Sequence, residues 1–247
     1  MSAKSKRNRP KYERVILKLS GEMLGGEQGF GLDPLSFSFF ADEIAKAVKK
    51  FKKVKIGVVV GGGNILRGAR NELPIDRVAA DYLGMLATVI NGVSLKAMLE
   101  AKGLHARVLS AVPAIGTMGY SPEKARDYWE NGEILVLTGG TGSPYFTTDT
   151  TAALRAAELG ANVLLKATKV DGIYSDDPEK NPDAEFLDDI TYEDALVREL
   201  KIMDMTAFAL CMEQKIPILI FNAHKENALV DILSGKKVGS LVHSATD

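Results

Sequence analysis

Three short runs, Val58-Val59-Val60, Ile134-Leu135-Val136-Leu137 and Ile218-Leu219-Ile220-Phe221, are apolar at every position. A strand with one face in water alternates, so a strand that is apolar throughout must be covered on both faces. That is the situation of a parallel sheet between two helical layers. With these runs, strands are expected at 15–19, 54–60, 106–112, 134–137, 162–166 and 217–221. Helical patterns fill the intervals. Asp33-Pro34 joins a capping side chain to a proline at the first helical position. Phe37, Phe40, Ile44, Val48 and Phe51 then recur at steps of three and four, forming one apolar stripe. Ser121-Pro122 opens another helix in the same way, and Thr191-Tyr192-Glu193-Asp194 resembles a capping box with Asp in place of Glu. Gly160 is placed to end a helix begun near Thr148. Strands alternating with helices predict an α/β chain, a single-domain three-layer α/β/α fold with a mainly parallel central sheet. The polar stretch 176–188 reads as an exposed loop, and a division into two lobes is expected near 140–165.

Composition narrows the function classes. The length, 247 residues, suits one large domain or two small ones. The 31 Lys plus Arg against 32 Asp plus Glu leave a formal net charge of -1, so the chain lacks the global basic field of a nucleic-acid binder. The single cysteine, Cys211, excludes an intrachain disulfide and a Cys-rich zinc site and reads as a core residue. His105, His224 and His243 have no metal-ligand spacing. No run reaches the ~18 apolar residues of a membrane span. Residues 1–11 are basic, and no apolar stretch of the signal-peptide kind follows them. The arm therefore reads as a flexible tail and the chain as cytoplasmic, with no need of membrane or nucleic acid.

Glycines and cations gather where the strands are expected to end. Gly61-Gly62-Gly63-Asn64 and Gly139-Gly140-Thr141-Gly142 each follow a buried strand directly. Ligands of open parallel sheets bind outside the carboxyl ends of the strands. Consecutive glycines there let backbone N–H groups approach an anion. Two such loops suggest two phosphate-bearing ligands, or two parts of one. Lys18, Arg67, Lys166 and Lys169 fall at the same ends. A ring of cations suits a phosphoryl group in transfer, whose charge must be neutralised while it is held in line. Asp149, after Thr147-Thr148, reads as a helix cap or as a partner for those cations, while Asp171-Gly172 reads as turn chemistry.

Other readings stay open at this level. No G-x-x-x-x-G-K-[ST] run is present. The dinucleotide fingerprint fails at its third glycine, where Leu66 stands, although Asp81 lies about 20 residues on as a ribose-binding acid would. An oxidoreductase and a non-catalytic nucleotide sensor or nucleic-acid-binding regulator using the basic arm both remain.

The segments Lys18-Leu19-Ser20-Gly21, Gly61-Gly62-Gly63-Asn64 with Arg67-Gly68, Asp149-Thr150, and Lys166-Ala167-Thr168-Lys169-Val170-Asp171-Gly172 together resemble the amino acid kinase superfamily. Within it the likeness is to the bacterial uridylate kinases, through 84–92, 141–149 and 203–208, and it runs from about residue 12 to 243. The resemblance implies transfer of the terminal phosphate of ATP to UMP with Mg2+, and within the superfamily an acyl-phosphate-forming kinase for an amino acid is the nearest rival. The resemblance also implies an acceptor-binding lobe over about 12–160 and an ATP-binding lobe over about 161–247. By position, Lys18, Leu19, Ser20, Gly21, Gly63, Arg67, Thr168, Tyr174 and Asp177 would contact ATP. Gly62, Asp81 and the segment Thr141, Gly142, Ser143, Pro144, Tyr145, Phe146, Thr147 and Thr148 would enclose UMP. Lys18, Asp149, Lys166 and Asp204 would carry the chemistry, and no residue is assigned directly to the metal. Gly26, Glu27, Gln28, Gly29, Phe30 and Gly31 match a segment linked to activation by GTP. Inhibition by UTP and a homohexamer are also implied, with Phe37, Phe40, Met85 and Leu86 as candidate interface residues, although Phe37 and Phe40 fit the core stripe equally well.

Overall fold

The structure is a computed structural model, described here over residues 9–66, 74–176, 180–181 and 183–245. In chain order, β1 (Arg14–Leu19) and the short α1 (Gly21–Leu24) lead to α2 (Pro34–Lys50), β2 (Lys55–Val60) and the long α3 (Arg77–Ala101). Next come β3 (Ala106–Ser110), β4 (Met118–Gly119), α4 (Pro122–Glu130), β5 (Ile134–Thr138) and α5 (Thr148–Leu159). The remainder comprises β6 (Val163–Thr168), β7 (Ile173–Tyr174), β8 (Phe186–Leu187), β9 (Asp189–Thr191), α6 (Tyr192–Val197) and α7 (Met205–Glu213), then β10 (Ile218–Asn222), α8 (Ala228–Leu233) and β11 (Ser240–His243).

Among the described residues one sheet runs in the order β4-β3-β5-β2-β1-β6-β10-β11-β9. Its pairings are parallel except β10 with β11. The sheet is covered on both faces. Val15, Leu17 and Leu19 of β1 pack with Phe40 and Ile44 of α2, Leu95 of α3 and Leu233 of α8. Ile16 points the other way, towards Trp129 of α4, Ala152 and Ala156 of α5 and Phe208 of α7. The three-layer expectation holds, and so do the helix starts. Asp33 Oδ2 accepts from Ser36 N at 2.7 Å, Ser121 Oγ from Lys124 N at 3.3 Å and Thr191 Oγ1 from Asp194 N at 3.1 Å. Gly160 ends α5 at φ 61°, in the left-handed region that costs glycine nothing.

One expectation changes, and one open choice is decided. The 176–188 stretch is not loop throughout, because Phe186 and Leu187 form β8 and pair antiparallel with β7, Phe186 meeting Tyr174 edge to face. Phe37 and Phe40 are each 3% exposed and belong to the core stripe, not to an interface. Helix α3 is long and apolar enough by length and composition to cross a membrane, but here it forms part of one helical layer, with Leu95 and Leu99 fully buried.

Candidate active site

Strand pleating decides which way the lysines point. In β1 and β6 the alternate residues Leu17, Leu19, Leu165 and Ala167 enter one core. Lys18 and Lys166, one step out of phase, project to the α5 face. The two strands are parallel neighbours and Lys18 is in register with Lys166, so both ammonium groups arrive at one place. Helix α5 begins there. Thr147 is its cap, its Oγ1 accepting from Asp149 N at 3.0 Å and Thr150 N at 3.2 Å. With the cap supplied by Thr147, the Asp149 carboxylate is free to bridge the lysines. Lys18 Nζ lies 2.9 Å from Oδ1 and Lys166 Nζ 2.7 Å from Oδ2.

The bridge is nearly buried, with side-chain exposures of 12% for Lys18, 16% for Lys166 and 13% for Asp149. Burial of Asp149 disfavours its charge, but the adjacent Lys18 and Lys166 ammonium groups outweigh that and hold its carboxyl below the usual carboxylate range. Lys166 also donates to the Ile202 carbonyl at 2.6 Å. Asp204 fastens the next element. It caps α7 through Ala207 N at 3.0 Å and accepts from Thr147 Oγ1 at 2.5 Å and Thr150 Oγ1 at 2.9 Å, joining the starts of α5 and α7.

Cavities flank this bridge. One of 320 Å³ is lined by Gly62, Gly63, Asp81, Phe146, Thr147 and Thr148 together with Glu22, Arg77 and Gly140. Another of 650 Å³ is lined by Lys166, Thr168, Tyr174 and Ile202. Lys166 lines the second cavity, and Asp149 follows Thr148 of the first in sequence; Lys18 and Asp149 themselves line neither, so the bridge links the two cavities through these neighbours. Gly21 explains its own identity here, since a Cβ on it would lie 2.3 Å from Gly63 N. The Leu19 side chain is core, leaving only its backbone for a ligand, and its carbonyl already accepts from Gly61 N at 2.8 Å. Ser20 begins α1 without a side-chain capping bond.

Some predicted residues are placed differently from their neighbours in the resemblance. Gly63 shares the smaller cavity with Gly62. Thr141, Gly142, Ser143 and Pro144 lie outside that lining, in a turn where Thr141 Oγ1 accepts from Ser143 N at 3.2 Å. Tyr145, at φ 72°, donates its N–H to Asp81 Oδ2 at 2.8 Å, while Arg77 Nε lies 3.2 Å from the same oxygen. Asp81 therefore pins the 141–148 segment onto α3. Lys169 does not join Lys18 and Lys166. It faces a third cavity of 870 Å³ with His224 and with Gly26, Glu27, Gln28 and Phe30, while Gly29 and Gly31 lie outside that lining. Arg67 and Asp177 lie outside the described residues.

Sequence reasoning missed several contributors. Arg77 carried a signal, the i, i+4 pairing with Asp81. Arg155 is 4% exposed, pairs with Glu158 at 2.7 Å and donates to the Gly140 carbonyl at 3.2 Å, a contact set by tertiary packing alone. The Ile202 carbonyl is backbone and has no sequence signature. Cys211 is fully buried in the core, as expected. Burial, with the charges of Asp149 and Asp204, pushes its thiol up to about 12. At pH 8 the native protein should leave Cys211 unreacted with an aromatic disulfide reagent, and one thiol should appear on denaturation; stoichiometric reaction of the native form would contradict this packing.

Residues 13–222 match the amino acid kinase family. The chain is 46% identical over 243 residues to a uridylate kinase of Alcanivorax borkumensis, covering 98% of this chain and 96% of that one. It is 47% identical over 237 residues to a uridylate kinase of Bacteroides thetaiotaomicron, covering 95% and 99%. Among solved structures, the UMP kinase from Bacillus anthracis superimposes with a TM-score of 0.91 at 33% identity, over 96% of this chain and 98% of that one. The UMP kinase from Ureaplasma parvum does so at 0.88 and 39% identity, over 95% and 100%.

Proposed function

The chain belongs to the amino acid kinase family, and we propose that it transfers the terminal phosphate of ATP to UMP, giving ADP and UDP. The observation that carries this reading is the Asp149 bridge, which joins Lys18 to Lys166, a residue of the second cavity, at the carboxyl ends of parallel strands. The chemistry asks for little else. A phosphomonoester has its second pKa near ~6, so at neutral pH the acceptor is already mostly a dianion and needs no general base. The barrier comes from bringing two polyanions together, which cations and backbone N–H groups relieve. In this reading the 320 Å³ cavity receives UMP and the 650 Å³ cavity ATP, with Thr168 and Tyr174 at the nucleotide end. Lys18 and Lys166 meet the phosphoryl group between them. Asp149 sets their positions, and Asp204 holds the start of α5 that carries Asp149. An acceptor lobe over about 12–160 and an ATP lobe over about 161–247 are part of this reading, supported by cavity linings that fall within 22–148 and 166–220.

Among the described residues no three His, Cys, Asp or Glu side chains cluster as a metal site, and Asp149 is already engaged by two lysines. Mg2+ would therefore arrive on the ATP phosphates and keep most of its water, and Asp149 and Asp204, both already engaged, would meet it through that water. The metal would add charge neutralisation at the β- and γ-phosphates.

GTP activation through 26–31 and UTP inhibition are part of the same reading, as is a homohexamer. Tyr82, Leu83, Leu86, Ile90 and Val93 form an exposed apolar stripe on the outer side of α3, which supports self-association. Leu86→Glu combined with Ile90→Glu should lower the mass measured by light scattering to a smaller assembly or the 26.7 kDa monomer. An unchanged mass would remove α3 from the interface.

The deciding assay is ADP formation from Mg-ATP with UMP, CMP, AMP, dTMP, glutamate and aspartate offered separately, with and without GTP. Turnover confined to UMP is expected. Turnover with an amino acid would keep the ATP site and overturn the acceptor.

A further inference from the structure

Beneath the Gly61–Gly63 loop lie Asn64 and, on α3, Asn91, both wholly shielded from solvent. Their amides form a closed pair. Asn64 Nδ2 donates to Asn91 Oδ1 at 3.0 Å and Asn91 Nδ2 to Asn64 Oδ1 at 2.6 Å. The second N–H of each amide goes to a glycine carbonyl, Gly31 O at 2.7 Å from Asn64 and Gly61 O at 2.7 Å from Asn91. Both amide orientations follow from this network, because each faces a carbonyl that only a donor can satisfy. Gly31 N–H closes the set by donating to Asn64 O at 2.8 Å.

The consequence lies in one peptide unit. The Gly61 carbonyl and the Gly62 N–H belong to the same planar trans group and point in opposite directions. Asn91 draws the carbonyl inward, so the N–H is turned away from the core, and Gly62 lines the smaller cavity. Among the described residues nothing accepts from Gly62 N–H. A buried amide pair of this kind is justified only when every member is satisfied, and here every member is.

We propose that Asn91, with Asn64 as its partner, is a positioning residue that fixes the Gly61–Gly62 peptide so that Gly62 N–H donates to the phosphate of the acceptor. This rests on the reading of the smaller cavity as the UMP site. The role makes a distinction that general loosening would not: it concerns the phosphate, not the nucleoside. The test is calorimetric binding of UMP and of uridine to the wild-type protein and to Asn91→Asp and Asn91→Ala, with melting temperatures recorded alongside. Asn91→Asp sets an oxygen against the Gly61 carbonyl and should turn the peptide. UMP affinity should fall by about 10-fold or more, the scale of one lost hydrogen bond to a charged group. Uridine affinity should stay within about twofold. Asn91→Ala should show the same asymmetry in weaker form, and it carries the comparison, with Asn64→Ala, if the Asp variant does not fold. A parallel loss of both ligands, or unchanged UMP binding in a folded variant, overturns the proposal. Wild-type protein that binds UMP no more tightly than uridine would instead bring down the acceptor reading and this inference with it.

Discussion

Lys18→Ala should lower turnover by at least ~100-fold, the lower end of what one lost charge-stabilising donor costs at a reacting oxygen, while the protein stays folded. The structure says why the two effects separate. Removing Lys18 takes one cation from the Asp149 bridge, yet Asp149 keeps its ion pair to Lys166 at 2.7 Å, so no carboxylate is stranded. The stability cost should be that of one partly buried polar contact, about 1–2 kcal/mol, or a few degrees in a chain of this size. The fall should appear mainly in kcat, because a cation at the phosphoryl group acts more strongly on the transition state than on bound substrate. Lys18→Arg should not rescue it, since a planar guanidinium cannot replace a compact ammonium beside Asp149. Steady-state kinetics at saturating ATP and UMP decide the matter. Turnover within a few-fold of wild type would remove Lys18 from the chemistry.

The parts of this arrangement that could be read in advance are those governed by local rules. The all-apolar runs of β2, β5 and β10 identified the parallel sheet because burial on both faces leaves no polar positions. Asp33-Pro34 and Ser121-Pro122 marked helix starts because capping is a matter of three or four residues. Other features depend on contacts between distant segments. Strand β4 is two exposed residues paired to an edge, and β7 with β8 is a two-residue ladder, too short for any periodicity. The antiparallel β11 depends on how the chain returns after α8. In the site, lysines at strand ends were legible, but their convergence was not. It requires β1 to pair with β6, with Lys18 and Lys166 in register. The role of Asp149 was ambiguous for the same reason: a carboxylate at a helix start reads as a cap until Thr147 is seen to supply it. Asn64 and Asn91 are 27 positions apart and polar, and neither their burial nor their pairing leaves a local trace.

Asp149→Ala should have the opposite profile, with a large effect on stability as well as on rate. It leaves two ammonium groups, 12% and 16% exposed, side by side with no counter-charge between them. Removing one partner of a buried ion pair typically costs about 3–5 kcal/mol. Partial exposure places this case near ~3 kcal/mol, or about 6–12 °C at 2–4 °C per kcal/mol. Asp149→Asn should cost less, because its amide oxygen still accepts from one lysine. Two conditions separate this cause from ordinary loss of packing. Sulfate or phosphate should stabilise Asp149→Ala more than wild type, since an anion bound to the folded variant replaces the missing charge. The pH dependence has a definite sign as well. The folded-state carboxyl is held below its ordinary value, so its contribution is complete above the unfolded value of ~4 and disappears as pH falls through the lower, folded one. The gap between wild type and variant in urea melts should therefore be constant from pH 8 to 5 and narrow in acid. A gap that persists undiminished at pH 2, or a variant as stable as wild type at pH 7, would mean that the lysines do not depend on Asp149 for their burial. The carboxylate would then have to be explained by the reaction alone.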